Sequence, residues 1–176
     1  MSDNGSIEKY CYSDTESNCT SDGGLYQWGE AMGYNASCNG TGAPPDDACA
    51  TPVQGICPSG WHIPSHYELT TLERAVCTSG TCATDFPYDE STTEWRGTDE
   101  GTKLKVGGSS GFEGLFAGYR STGGSFGGRG AGAIIWSSLE KSGTDVWIRL
   151  LDSGRAMVYR GPGNKLGGFS VRCIQD

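Results

Sequence analysis

The sequence predicts an α+β domain with few helices, an antiparallel sheet, many loops and a disulfide-stapled frame. Three observations carry this. Eight cysteines occur, at Cys11, Cys19, Cys38, Cys49, Cys57, Cys77, Cys82 and Cys173, with no CxxC pair among them. A single segment, "IPSHYELTTLERAV", joins helical periodicity to a start signal. From residue 131 onward, short apolar runs alternate with Gly/Ser turns, the mark of an antiparallel sheet.

The 176 residues suffice for one domain with its own core, expected over 1–176, with 1–55 a Cys-rich irregular segment. Glycine is abundant at 29 residues and hydrophobic residues make up 35%, which suits a loop-rich domain better than a helical bundle. The net charge of −8 offers no basic footprint, so nucleic acid is excluded as a partner. No apolar run approaches the roughly 18 residues of a membrane span, so no membrane insertion is expected.

An even cysteine count without close pairs disfavours zinc and fits disulfides, hence an oxidising setting: extracellular, a cell surface or a virion surface. Eight cysteines allow 105 connectivities. Pairing near neighbours gives Cys11–Cys19, Cys38–Cys49 and Cys77–Cys82, and leaves Cys57–Cys173 as a long closure. The opening "MSDNGSIEK" is polar and carries no secretory signal pattern, so a processed form or a virion-borne protein is expected.

Within the N-terminal segment an apolar island, "GGLYQWGEAMGY", should form a short strand or turn on the core. Ser65 and Glu68 make a capping box, and Leu69, Leu72 and Val76 repeat at helical spacing, so a helix should run to about Cys77. "TKLKV" reads as a brief helix or strand and "GLFAGYRS" as an extended segment. The runs "AIIWSSLE", "DVWIRLLD" and "AMVYRG" read as strands, "GPGNKLG" as a loop, and "GFSVRC" as a closing strand with Phe169, Val171 and Cys173 on one face. In "DVWIRLLD" both faces are apolar. A small sheet readily buries one, so the other is expected to be exposed and to bind.

His62 and His66 are spaced as a metal pair, but Pro64 and the cap at Ser65 separate them, so they are read as loop and helix-start residues and no metal site is expected. "PDD" at 45–47 and "TDEGT" at 98–102 offer loop oxygens that suit calcium as a candidate cofactor. No nucleophile elbow, P-loop or HExxH occurs, and no pair of carboxylates stands out. Arg149, Arg160 and Arg172 recur on successive tail strands, where they either clamp an anionic ligand or, the favoured reading, pair with acids and lie over aromatic neighbours.

"GGLYQWGEAM", "CPSGWHIPSHYELTTLE", "GYRST", "WSS", "VWIR" and "GFSVRC" closely resemble the Fibrobacter succinogenes major paralogous domain family. The resemblance implies a C-type lectin fold of the formylglycine-generating-enzyme type. Members with such a tail are variable proteins of diversity-generating retroelements in phages, bacteria and archaeal viruses, in which reverse transcription of template adenines rewrites the 3′ end of the gene. It therefore implies a variable region over about 124–176, with Asn-type template codons yielding residues other than Lys, Glu, Gln, Met and Trp.

The positions this assigns to ligand binding are Gly127, Gly128, Gly132, Ile134, Leu139, Asp145, Ile148, Leu150, Asp152, Ser153, Arg155, Tyr159, Gly161, Pro162, Gly163, Leu166 and Gly167. Trp136, Trp147, Arg149, Val158, Arg160, Lys165, Phe169, Val171 and Cys173 are assigned to the scaffold, and so is Met157, which adenine changes cannot reach from an Asn codon. On this reading Ile148, Leu150 and Asp152 form a changeable strand face; the alternative is that Ile148 and Leu150 are core.

The expected function is ligand binding, as a receptor-binding or adhesion protein, without catalysis. The partner would be a protein or glycan on another cell or host surface. The alternatives are a formylglycine-generating or carbohydrate-active surface enzyme, and a purely structural surface module. Neither an "EPN" nor a "WND" sugar-binding element occurs, and the C-terminal half holds only Cys173 where the oxidase needs two cysteines.

Overall fold

A computed structural model describes residues 6–33 and 52–176. A 3-10 turn at Tyr12–Asp14 leads to α1 (Glu16–Asp22) and the single turn α2 (Trp28–Ala31). Then come β1 (Trp61–His62), α3 (His66–Val76), α4 (Cys82–Asp85), β2 (Glu94–Arg96) and α5 (Glu100–Leu104). The remainder is β3 (Tyr119–Arg120), β4 (Phe126–Gly127), β5 (Gly132–Glu140), β6 (Asp145–Asp152), β7 (Val158–Asn164) and β8 (Ile174–Gln175). The architecture is mixed, with few helices and antiparallel sheets: a four-stranded sheet in the order β2-β7-β6-β5, and two small pairs, β1-β8 and β3-β4.

The long helix starts where its cap places it. Glu68 N–H donates to Ser65 Oγ at 3.2 Å and Ser65 N–H donates to Glu68 Oε2 at 2.8 Å, which closes the capping box. The helix then buries His66, Leu69, Thr70 and Glu73 against the sheet.

Both faces of that sheet are covered, which corrects the expectation that one stays open. On one face Trp136, Val146 and Ile148 pack with Trp28, Met32, Ile63 and Phe169. On the other, Ala133, Leu151 and Val158 pack with Phe86 and Leu104, flanked by half-buried Leu72, Val76 and Phe112. The doubly apolar pattern of "DVWIRLLD" is thus that of a central strand between two cores. Two of the three buried tryptophans find acceptors for their indole N–H: Trp28 Nε1 donates to Ser137 O at 3.0 Å, and Trp136 Nε1 to Tyr26 O at 2.8 Å.

The polar N-terminal segment is more ordered than its composition suggests. Cys11–Cys19 staples α1, Tyr10 bridges Leu25, and Tyr26 bridges Phe169 near the far end of the chain. Cys77–Cys82 closes the turn after α3, and Cys57–Cys173 joins residues 116 apart with a Cα–Cα distance of 5.8 Å. These are three of the four expected pairs; Cys38 and Cys49 lie outside the described residues, as does "PDD" at 45–47. No helix among the described residues is long and apolar enough to cross a membrane.

The tail departs from expectation at two points. Residues 169–173 keep the alternation, with Phe169, Val171 and Cys173 turned to the core and Arg172 exposed, but only isolated bridges tie residues 168–170 before β8 forms. The stretch expected as a loop is partly strand, because β7 runs through Gly161, Pro162 and Gly163 to Asn164. Glycine is needed at 163, where a Cβ would stand 2.6 Å from Ile148 Cγ2 and 2.9 Å from Phe169 Cε2.

Candidate ligand-binding face

Strand register brings four side chains into one row. Ile134 of β5 lies opposite Leu150 of β6, Leu150 opposite Tyr159 of β7, and Tyr159 opposite Trp95 of β2. Directly opposed residues share a sheet face. All four are half-buried, and they continue the first core's face outward from Ile134, which packs against that core. The Trp95 and Tyr159 rings meet edge to face with centroids 5.5 Å apart, and the Arg155 guanidinium lies 4.6 Å from the Trp95 ring centre. Burial and the Glu94 carboxylate raise the Tyr159 pKa, so its hydroxyl is a neutral donor at physiological pH.

Tyr159 leans over Gly161, where a Cβ would come within 2.6 Å of its ring. The turn after β6 borders the row. Asp152 Oδ1 accepts from Gly154 N–H at 2.8 Å, Ser153 N–H donates to Ala131 O at 2.7 Å, and Ser153 and Arg155 are exposed. The Lys105 ammonium donates to the Arg155 carbonyl, fixing the turn from outside. Gly132, opposite Asp152, completes the edge.

Ile134, Leu150, Asp152, Ser153, Arg155, Tyr159 and Gly132 therefore form one surface. The other assigned positions divide. Ile148 is 5% exposed and belongs to the core, so the changeable-face assignment fails there, because a volume change meets Trp136 and Phe169. Gly161, Gly163 and Gly167, also assigned to ligand binding, are buried against Tyr159, Ile148 and Phe169 and lie off this surface. Pro162 lies opposite Trp147, on the other face of the sheet, and is exposed.

At the far end of the sheet, the Asp145 carboxylate accepts from Ser142 Oγ at 3.1 Å and Thr144 Oγ1 at 2.9 Å in the β5–β6 turn. Leu139 is half-buried beyond the β5 bulge, and Leu166 is 54% exposed. Gly127 and Gly128 sit under the Tyr119 ring in the β3–β4 hairpin, with Gly128 at φ 73°. Sequence reasoning misses Trp95. It precedes the tail, and only its register with Tyr159 places it in the row.

Most of the candidate metal ligands in the described residues have other partners. Glu100 is buried and its Oε2 accepts from Thr98 N–H at 2.6 Å and Asp99 N–H at 3.1 Å, while Asp99 pairs with Lys103 at 2.9 Å. Glu100 Oε1 is buried without a hydrogen-bond partner, and no group of three clustered ligand atoms forms at "TDEGT" among the described residues. His62 bridges Asp176 at 2.6 Å and Glu68 at 2.8 Å, whereas His66 turns under the sheet toward Arg149. Among the described residues the one group of three clustered ligand atoms is Cys11, Glu16 and Cys19, and its two sulfurs are bonded to each other. Cys173 is likewise bonded to Cys57.

The scaffold beneath the row is polar and tightly tied. Arg149 donates through Nε to Glu73 Oε1 at 2.5 Å and through Nη2 to Oε2 at 3.2 Å, both side chains being buried. It also donates to His66 O and Ile148 O, each at 3.2 Å. Burial, then the charges of Arg149 and Arg160, push the His66 pKa down to about 3, so the ring is neutral.

The sequence matches the family model described as Fibrobacter succinogenes major domain over residues 2–175. No curated protein and no solved structure matches the chain.

Proposed function

Because the chain belongs to the Fibrobacter succinogenes major domain family, we propose that it is a binding protein, built on a C-type lectin-like frame, whose tail is diversified by a retroelement. Its ligand is a protein or glycan on another cell or host surface, and the protein acts outside the cell without catalysis. One observation carries the reading: Ile134, Leu150, Tyr159 and Trp95 stand in register as half-buried side chains along the margin of the first core, against which Ile134 packs. Aromatic and aliphatic anchors on a rigid platform, rimmed by Asp152, Ser153 and Arg155, suit recognition through a few energetic contacts. The turn is held by backbone hydrogen bonds and by the Asp152 carboxylate, so the Ser153 and Arg155 side chains can change without loss of the turn. The three described disulfides fit a secreted or surface protein.

The gene neighbourhood tests this. The reading requires a reverse transcriptase gene and a repeat of the 3′ end that differs from it at adenines, in the codons of Leu150, Asp152, Ser153, Arg155 and Tyr159. A repeat whose differences fall on the codons of Ile148, Gly161 and Gly163 instead, or the lack of any such repeat, contradicts it.

A further inference from the structure

We propose that the buried guanidinium of Arg160 binds a small monovalent anion of the halide class, chloride in ordinary salt, in the layer between the β6–β7 ladder and the start of α3. Arg160 is 0% exposed. Its Nη2 donates to Pro87 O at 3.1 Å and lies 2.9 Å from His66 Nε2. Its Nε and Nη1 are buried and meet no acceptor among the described residues. A sealed cation with most of its N–H donors unmatched is costly to fold, unlike Arg149 beside it, which Glu73 neutralises.

His66 does not supply the missing acceptor. The neutral ring carries one proton. Its Nδ1 faces the Arg149 Nη1 donor at 3.2 Å, and its Nε2 faces Asp89 O at 2.8 Å. The tautomer that satisfies both contacts accepts at Nδ1 and donates from Nε2. Nε2 then offers no lone pair to Arg160.

Charge points the same way. Arg149 lies directly opposite Arg160 across the strands, an arrangement of like charges that repel. The charges acting on Arg160 are the cations Arg149 and Arg96 and the carboxylates Glu73 and Asp89. With Arg160 itself this makes three cations against two anions, an excess of one positive charge. Glu94, its register partner on β2, is exposed and does not reach the unmatched atoms. Trp147 Nε1 is a further buried unmatched donor, and its ring packs 4.2 Å from His66 on the same sheet face. A water molecule would accept hydrogen bonds but leave the charge; a halide answers both.

Crystals grown in sodium bromide test the site directly. The expected result is an anomalous bromide peak within hydrogen-bond distance of Arg160 Nε or Nη1. Density there without anomalous signal, or no density, overturns the proposal. In solution, the melting temperature should rise and saturate as sodium chloride replaces sodium gluconate at constant ionic strength. R160M should show no such response. A wild-type melting temperature indifferent to the exchange also overturns it. Both wild-type readouts decide the matter even where R160M fails to fold.

Discussion

Gly163 lies against Ile148: a Cβ on the glycine would stand 2.6 Å from Ile148 Cγ2, and the two are diagonal neighbours across β6 and β7. Under the proposed function this contact marks the boundary between a changeable part of the tail and a fixed one. Gly163→Ser should lower stability by about 1–3 kcal/mol through overpacking. Ile148→Ala should cost about 2–5 kcal/mol through the cavity it leaves. Chemical denaturation reads both; a change under about 0.5 kcal/mol at both positions would return them to the proposed binding surface.

The Glu73–Arg149 pair holds α3 to the sheet. Removing one partner strands a buried charge, so Glu73→Gln alone should destabilise by about 3–5 kcal/mol. The double variant Glu73→Leu with Arg149→Met should lose less than either single charge deletion. Urea midpoints of the wild type, Glu73→Leu, Arg149→Met and the double variant measure this. Additive losses would show that the two residues act independently.

The two histidines should bend the stability profile in opposite directions. Burial pulls the His62 pKa down, but hydrogen bonds to Asp176 and Glu68, with their charges, outweigh it and raise it above 6.5. That stabilisation is fully present below pH 6.5 and is lost as pH rises through the raised value. His66, held neutral with a pKa of about 3, acts the other way. The unfolded chain binds a proton below pH 6.5 that the folded chain refuses, so stability falls from there toward pH 3. The melting temperature should therefore peak near pH 6.5, and His62→Gln should flatten the alkaline limb alone. An unchanged alkaline limb in that variant would remove His62 from the account.

Cys57–Cys173 spans 116 residues and Cys77–Cys82 only 5. Loop-closure entropy makes the long bridge the more stabilising, so replacing its cysteines by serine should cost about 2–5 kcal/mol. The short bridge should cost less. Thermal unfolding of the two serine pairs ranks them, and equal losses would point to packing at the sulfurs rather than to chain entropy.

Much of the fold is legible because its signals are local. Ser65 and Glu68 mark the start of α3, and spacing alone picks out Cys11–Cys19 and Cys77–Cys82. Gly161 and Gly163 mislead, because glycine in a turn and glycine under a neighbouring ring look alike in a sequence. Only the three-dimensional proximity of Tyr159, Ile148 and Phe169 tells them apart. The doubly apolar β6 misleads for a related reason: whether a second face is exposed depends on α3 and α5, which a strand's own residues do not report. Of the candidate face, Leu150, Asp152 and Tyr159 can be read from the tail, whereas Trp95 joins them through strand pairing across about sixty residues.

The most direct test compares two displayed libraries by protease survival: one randomised at Leu150, Asp152, Ser153, Arg155 and Tyr159, the other at Ile148, Gly161, Gly163 and Gly167. As a recognition surface of the kind proposed, the row should tolerate change, so most members of the first library should stay folded and resistant, and most of the second should be cleaved. Equal survival of the two libraries, or loss of the first, would contradict the account.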